Sequence, residues 1–506
     1  MLDCSANAPY GAIRQGDRSM SISTDFTGSL VEKLLRALMA WAFVAIALLP
    51  INAQAIPAFN RQTGQNCVAC HAGGQFPELT PYGRLFKMTG YTIGERAMPV
   101  SAMAVASFSK VSNTSKSDDP ADDFQKNGDA IFATASLLFG GKVTDNIGGF
   151  VQVTYDNYAS LGDDGKFHGH TNADNIDLRY ADRFISPTRD LIFGISANNN
   201  PSVSDPWNTA AAWMQYVPVP SPTSSRFIDG NAPYPGFGAG GNIAGLTAYA
   251  YWNKTIYAEL GGYATSKGLT SFMSAGVADA DTTKLKGLNP YWRLAYNREW
   301  GPHSLMLGTS GMVAYVYDDP LDTSDPATVH RFKDLAIDAQ YQYLLDPHSV
   351  TAQLVYTSNH QRYSDASANQ PAPFFDATGA PTLANTNTAD TNHVLRAKLT
   401  YVYQAKYGGS VGLFDLTGST NTANQTAGFD DTGTLTKTDG ASSNLSGNPA
   451  TRGFTLEAFW TPIQYLRIGA QYTAYNRFNG ASKNYDGFGR NASDNNSLFI
   501  YAWMAY

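Results

Sequence analysis

The two closely spaced cysteines of this chain stand in the stretch Cys67-Val68-Ala69-Cys70-His71. Two thiols separated by two residues can form thioethers to the vinyl groups of one haem, and the adjacent imidazole is then placed to ligate its iron. A reduced redox pair would need a thioredoxin-like setting, and half of a zinc site would need two further ligands. Neither accompanies this stretch, so the spacing predicts one covalently attached haem c bound by Cys67 and Cys70, with His71 as an axial iron ligand.

The ligand opposite His71 is open. Met88, Met98 and Met103 lie downstream, and a thioether there would raise the potential towards that of other His/Met cytochromes. Ser101, Met103, Val105, Ser107 and Ser109 alternate with Val100, Ala102, Ala104, Ala106 and Phe108, which puts Met103 on the serine-rich side of a strand. Met103 is the first expectation and Met98 the second. Met88 would ligate from a short helix, and His303, His348 or His393 would offer an imidazole instead. The plainer reading makes each methionine packing filler. A second pattern, His168-Gly169-His170 beside Asp163 and Asp164, suits a transition-metal ion in an external loop, although such histidines are more often solvated. Further acidic groups at Asp118, Asp119, Asp122, Asp123, Asp318, Asp319, Asp430 and Asp431 read as ordinary solvated loops.

These residues need elements to position them. Residues 56–99 are too few to fold on their own apolar burial, and a covalent haem would supply the missing core. Thr80 followed by Pro81 predicts a helix start, the hydroxyl capping amides and the proline sitting where no donor is needed; Gly90 predicts the stop. On that helix Tyr82 and Phe86 share a face suited to a porphyrin or to an ordinary core. Arg84 and Lys87 are either propionate partners or a solvated basic face. Upstream, Lys33 and Arg36 precede an apolar run from Ala37 to Leu49 that leads to Ala53-Gln54-Ala55. This predicts a secretory signal over residues 1–55, cleaved after Ala55, with an N-terminal extension that a start at Met20 would remove together with Cys4.

Beyond Val100 the texture is strict alternation. Leu335, Ile337, Ala339, Tyr341 and Tyr343 oppose Ala336, Asp338, Gln340 and Gln342; Leu395, Ala397, Leu399 and Tyr401 oppose Arg396, Lys398 and Thr400. Strands are expected to begin near residues 100, 130, 147, 174, 190, 242, 254, 289, 303, 331, 348, 391, 407, 452, 463 and 496, an even number. Tight turns such as Gly301-Pro302 and Asp346-Pro347 alternate with long polar loops, among them 158–173, 199–241, 360–389 and 479–494. The pattern predicts an all-β membrane protein. Residues 100–506 would form a 16-stranded antiparallel outer-membrane β-barrel, apolar towards lipid and polar towards the lumen, after a short, mostly helical or irregular haem segment at 56–99. The 29 tyrosines suit interface girdles. The loop 199–241, with Trp207, Trp213, Tyr216 and Tyr234, would either fold inward and narrow the pore or cover its mouth. A net charge of −7 argues against a nucleic-acid partner.

The combination resembles the fused cytochrome-porins of bacterial outer membranes, whose best-known members are monohaem iron-oxidising cytochromes. The residues that carry the resemblance are Arg61-Gln62-Thr63-Gly64, Cys67 to His71, Phe76-Pro77-Glu78-Leu79, Gly83-Arg84, Phe86-Lys87 and Gly90-Tyr91. The resemblance implies a single c-type haem in or against the lumen, on the periplasmic side or inside the barrel. It would pass electrons between an extracellular donor or acceptor and periplasmic electron-transfer proteins, in outer-membrane lipid. It does not by itself imply iron, although an Fe(II):cytochrome c oxidoreductase-like activity would be the enzymatic form. Two other functions stay open: a diffusion porin with a haem-bearing plug, and a haem enzyme acting on peroxide or another small oxidant. The last would need an open iron position and a distal acid-base residue.

Overall fold

The computed structural model describes residues 57–74, 78–113, 127–161, 166–209, 242–274, 284–317, 320–364, 387–421, 444 and 446–506. The expected leader with its cleavage site lies outside these residues, as do Phe76, Pro77, Trp213, Tyr216, Tyr234 and the acidic residues Asp118, Asp119, Asp122, Asp123, Asp163, Asp164, Asp318, Asp319, Asp430 and Asp431.

Alternation becomes strands because a period of two places one apolar set on one sheet face. The first eight are β1 (Val100–Val111), β2 (Ala130–Lys142), β3 (Ile147–Leu161), β4 (Phe167–Ser186), β5 (Arg189–Asn198), β6 (Ile243–Trp252), β7 (Ile256–Thr265) and β8 (Asn289–Trp300). The rest are β9 (His303–Tyr317), β10 (Val329–Leu345), β11 (His348–Arg362), β12 (Ala389–Tyr403), β13 (Tyr407–Gly418), β14 (Thr451–Ile463), β15 (Leu466–Arg477) and β16 (Ser497–Ala505). Each of these sixteen described strands pairs antiparallel with the next, and β1 pairs with β16 in the register Met103↔Ala505 to close a barrel. Short turns join β2–β3, β4–β5 and each later even–odd pair, so the start of β1 and the end of β16 share the short-turn end. At two of these turns Asn253-Lys254 and Gln404-Ala405 take positive φ at both central positions, the geometry that matches strand twist in a tight hairpin.

One strand departs from the expected boundaries. β4 starts at Phe167 rather than near 174, because its first residues extend the hairpin with β3 in the pairs Ser160↔His168 and Asp156↔His170. His168 and His170 therefore lie on a strand and not in a loop.

The outward face is apolar where a soluble sheet would be polar. In β10 the outward Leu335 and Ile337 are 45% and 59% exposed, while Asp334, Asp338, Gln340 and Gln342 are buried inside. Trp252, Trp300, Tyr403, Tyr407 and Trp460 ring the short-turn end, and Tyr155, Tyr315, Tyr356 and Tyr472 ring the other, all exposed. An apolar band between two aromatic girdles on a closed, even-stranded barrel is the exterior of an outer-membrane-type protein.

Among the described residues, several segments lie inside the barrel. Three helices, α1 (Pro57–Thr63), α2 (Cys67–Cys70) and α3 (Pro81–Met88), lie inside it. Ala58 N donates to Ser101 Oγ on β1 at 2.9 Å, Tyr91 Oη to Asp177 on β4 at 2.6 Å, and Tyr249 Oη on β6 to the Met88 carbonyl at 2.7 Å. Residues 199–209 also turn inward after β5 as a strap with a one-turn helix α4 (Pro201–Ser204), and its Trp207 is fully buried against Tyr257 of β7. Inward folding is thus the outcome for the described part of that long loop.

The expectation of a polar lumen holds only in part. Towards the long-loop end, the inward Ile243, Tyr263, Tyr291, Met312, Val316 and Phe332 form one apolar cluster. Val394, Phe414, Leu416, Tyr475, Phe478 and Tyr485 form another, with the segment after β15 supplying Phe478 and Tyr485. These inward side chains pack against one another and against inserted segments, which bury apolar surface that water would otherwise wet.

Candidate functional site

Residues 67–71 are held by their own backbone and by the start of α3. His71 N donates to the Cys67 carbonyl at 2.8 Å, closing the single turn of α2, and the two cysteines are not joined in a disulfide. Thr80 does two jobs. Its side chain accepts from Gly83 N at 3.1 Å as the cap of α3, while its N–H donates to the Cys70 carbonyl at 2.9 Å and its hydroxyl to that of Ala69. Gly83 lies against the same Cys70 carbonyl, so close that a β-carbon there would overlap the oxygen. The helix start foreseen at Thr80-Pro81 therefore does more than begin a helix: it clamps the Cys-x-x-Cys turn. Gly90 ends the helix region with φ of 74°, as expected.

Burial sets the protonation of the donors. Cys67 is 3% exposed, whereas Cys70 and His71 are half-buried. Burial, with help from neighbouring Cys67, pushes the Cys70 thiol up to about 11. Burial also brings His71 down to about 4, against the opposing pull of Glu78. At neutral pH the imidazole is uncharged, the form that ligates metal. Glu78 is itself buried, its carbonyl accepting from Ala72 N at 2.9 Å and its carboxylate paired with Lys398 of β12 at 3.1 Å. Two thiols on one turn beside a neutral imidazole form a donor set whose chemistry fits covalent haem attachment.

The other foreseen residues scatter. Met103 faces inward on β1, half-buried and packed against Val105, Phe499, Tyr501 and Trp503. Met98 is 68% exposed, with its carbonyl held by Arg61 at 3.2 Å. Met88 is core, packed with Trp207 and Tyr249. His303, His348 and His393 bond the hydroxyls of the outward tyrosines Tyr341, Tyr401 and Tyr356 at 2.8, 2.8 and 2.9 Å. They belong to the aromatic girdles, on the opposite side of the wall from His71, because strand parity at those positions points outward. His170 opposes Asp156 across β3–β4, and among the described residues no group of three or more His, Cys, Asp or Glu is placed to hold a metal ion.

Arg84 and Lys87 do not form the solvated basic face that one reading expected. Arg84 is 1% exposed and donates to Gln342 at 2.9 Å, Ser304 at 2.7 Å and the Leu79 carbonyl at 2.9 Å. Lys87 Nζ donates to the Asp205 carbonyl of the strap at 2.8 Å. Phe86 has joined an ordinary aromatic core, 5.0 Å from Phe59 and 5.7 Å from Tyr91 between ring centroids.

Sequence reasoning passed over the luminal ion pairs. Arg179 binds Asp177 at 2.9 Å and the Ser204 carbonyl at 2.6 Å; Arg293 binds Asp205 at 3.1 Å and Asp338 at 2.8 Å. Arg467 binds Glu457 at 2.8 Å. The signal was present in parity: all but Asp205 of the strap are charges on the inward side of strands whose outward side is apolar.

No protein-family model matches the chain, and no curated protein matches it. In fold the chain is similar to solved outer-membrane proteins. DcaP, an outer-membrane channel of Acinetobacter baumannii, shows 13% identity over 80% of this chain and 96% of that one, with a TM-score of 0.43. Salmonella typhi OmpF in complex with daunomycin shows 11% identity over 80% and 97%, at 0.42. OmpT of Vibrio cholerae shows 9% over 80% and 96%, at 0.40. The barrel itself stands on the strand register of this chain.

Proposed function

We propose that this chain is a monohaem c-type cytochrome built into an outer-membrane porin-like barrel, of the fused cytochrome-porin kind. It passes electrons between an extracellular donor or acceptor and periplasmic electron-transfer proteins. The observation that carries the reading is the Cys67–His71 turn, clamped by Thr80 and Gly83 inside a barrel into which the strap and two apolar clusters also project. When bound, a haem supplies one one-electron couple. Cys67 and Cys70 would tether it, His71 would offer a neutral nitrogen to the iron, and Met103 on the luminal side of β1 would be the first choice for a second ligand. The segments that the described residues place inside the barrel favour the electron-transfer reading over the diffusion-porin alternative, since an open channel needs a wet interior.

Purified protein in detergent tests this. Covalent haem at one per chain, reduction by an external donor in a screen that includes Fe(II), and little planar-bilayer conductance are expected. A haem-free protein, or a large open-pore current, would overturn the proposal.

A further inference from the structure

We infer that Arg331, Lys333 and Arg362, with His360, form a seat on the lipid-facing wall for the phosphates of an outer-leaflet lipid. All four stand on the outward side of β10 and β11 near the long-loop end, with the parity of Leu335 and Ile337 on β10 and of Leu354 and Tyr356 on β11. Lys333, His360 and Arg362 are exposed and Arg331 is half-buried. The register sets Arg331 opposite Arg362 and Lys333 opposite His360. Successive outward residues are roughly 7 Å apart along a strand and opposing ones roughly 5 Å apart across it, so four basic side chains leave one small patch. Arg331 is also level with Tyr315 of the aromatic girdle across β9–β10, which puts the patch at the outer interface, where lipid headgroups begin.

Like charges set directly opposite destabilise a sheet, and the protein supplies no acid on this face to offset them. Among the described residues, the outward positions of β9 to β12 hold no carboxylate; Asp334, Asp338 and Asp390 of the same strands point inward and are buried. In the turn before β10, Asp322 accepts from Ser324 and Asp325 from Ala327 N, and neither is paired with a cation of the patch. His360 Nδ1 lies 3.2 Å from Thr391 Oγ1, its one bonded neighbour on β12. The next wall shows the contrast: there the outward Arg452 of β14 meets Asp415 of β13 at 2.6 Å. A phosphate group suits the unmatched patch, because its oxygens accept from a guanidinium fork two at a time and from an ammonium as a point charge. A lipid delivers that phosphate at the height of the patch while its chains lie along Leu335 and Ile337.

The test uses the full-length protein in detergent with bisphosphorylated lipid A as the probe, bound lipid being counted by native mass spectrometry. Wild type should retain the lipid, and Arg331→Gln/Arg362→Gln should weaken binding by about tenfold or more, the effect of losing one charge-assisted hydrogen bond. Arg362→Gln alone is measured as well, in case the double variant forms no heat-modifiable barrel. Arg452→Gln, at the same end but matched by Asp415, should bind as wild type does, and the same lipid stripped of its phosphates should not compete. In lipid-free detergent the double variant should unfold no lower than wild type, since it relieves repulsion, while added lipid A should raise the midpoint of wild type alone. Equal retention by wild type and the variants would overturn the seat. So would displacement of the lipid by equimolar inorganic phosphate, which would mark a site for the free ion.

Discussion

Lys87 Nζ and the carbonyl oxygen of Asp205 are 2.8 Å apart, and Asp205 in turn holds Arg293 at 3.1 Å. Helix, strap and wall are thereby joined through one residue of the strap. Asp205→Ala should free the strap. Breaking a buried ion pair costs about 3 kcal/mol where a charge is left uncompensated, and less here because Asp338 still faces Arg293. Single-protein conductance should rise several-fold with barrel folding retained; a current equal to wild type would show that the strap does not seal the lumen.

Lys87 also predicts a pH dependence. Burial brings its amine down to about 8 from an ordinary 10.5, with Asp177 pulling the other way. The unfolded chain then binds the proton more readily between those values, so this residue's contribution favours folding increasingly as pH rises from about 8 to 10.5. Heat-unfolding midpoints at pH 7.5 and 10 should show wild type gaining on Lys87→Met. Parallel curves would contradict the burial argument.

At Gly83 the prediction is steric. A β-carbon there meets the Cys70 carbonyl, so Gly83→Ala must push α3 from the Cys-x-x-Cys turn, at about 1–3 kcal/mol as for other overpacked sites. Haem staining of denatured protein should fall while the folded barrel persists. Undiminished staining would mean that the clamp is dispensable.

Replacing both thiols, Cys67→Ser with Cys70→Ser, should abolish covalent haem and leave strand pairing unchanged, because the barrel's register does not pass through α2. A variant that fails to form a heat-modifiable barrel would show instead that attachment is needed for folding.

Strand parity made most of the barrel legible. The outward Leu335 and Ile337 and the inward Asp338 and Gln340 occupy the faces their spacing assigns, since a one-residue slip would bring every charge to lipid. β4 was misjudged because Gly169 and the flanking histidines resemble a loop, yet backbone pairing with β3 does not depend on side-chain polarity. Cys67, Cys70 and His71 were readable as a local motif. Nothing local distinguishes Arg84, which binds a strand more than two hundred residues away, from Arg467, which stacks between rings of its two neighbouring strands, because each role is set by the closure of the barrel. His303, His348 and His393, offered only as alternatives to a methionine, face outward, because proximity to a strand end does not reveal which side of the wall a ring occupies.

The seam between β1 and β16 joins the most distant strands of the barrel, and contacts of high sequence separation are slow to form. Ala58 is bound to Ser101 on the first of those strands. The strand that closes the ring is therefore also the strand that anchors the first inserted helix, so the seam and the seating of α1 share one element.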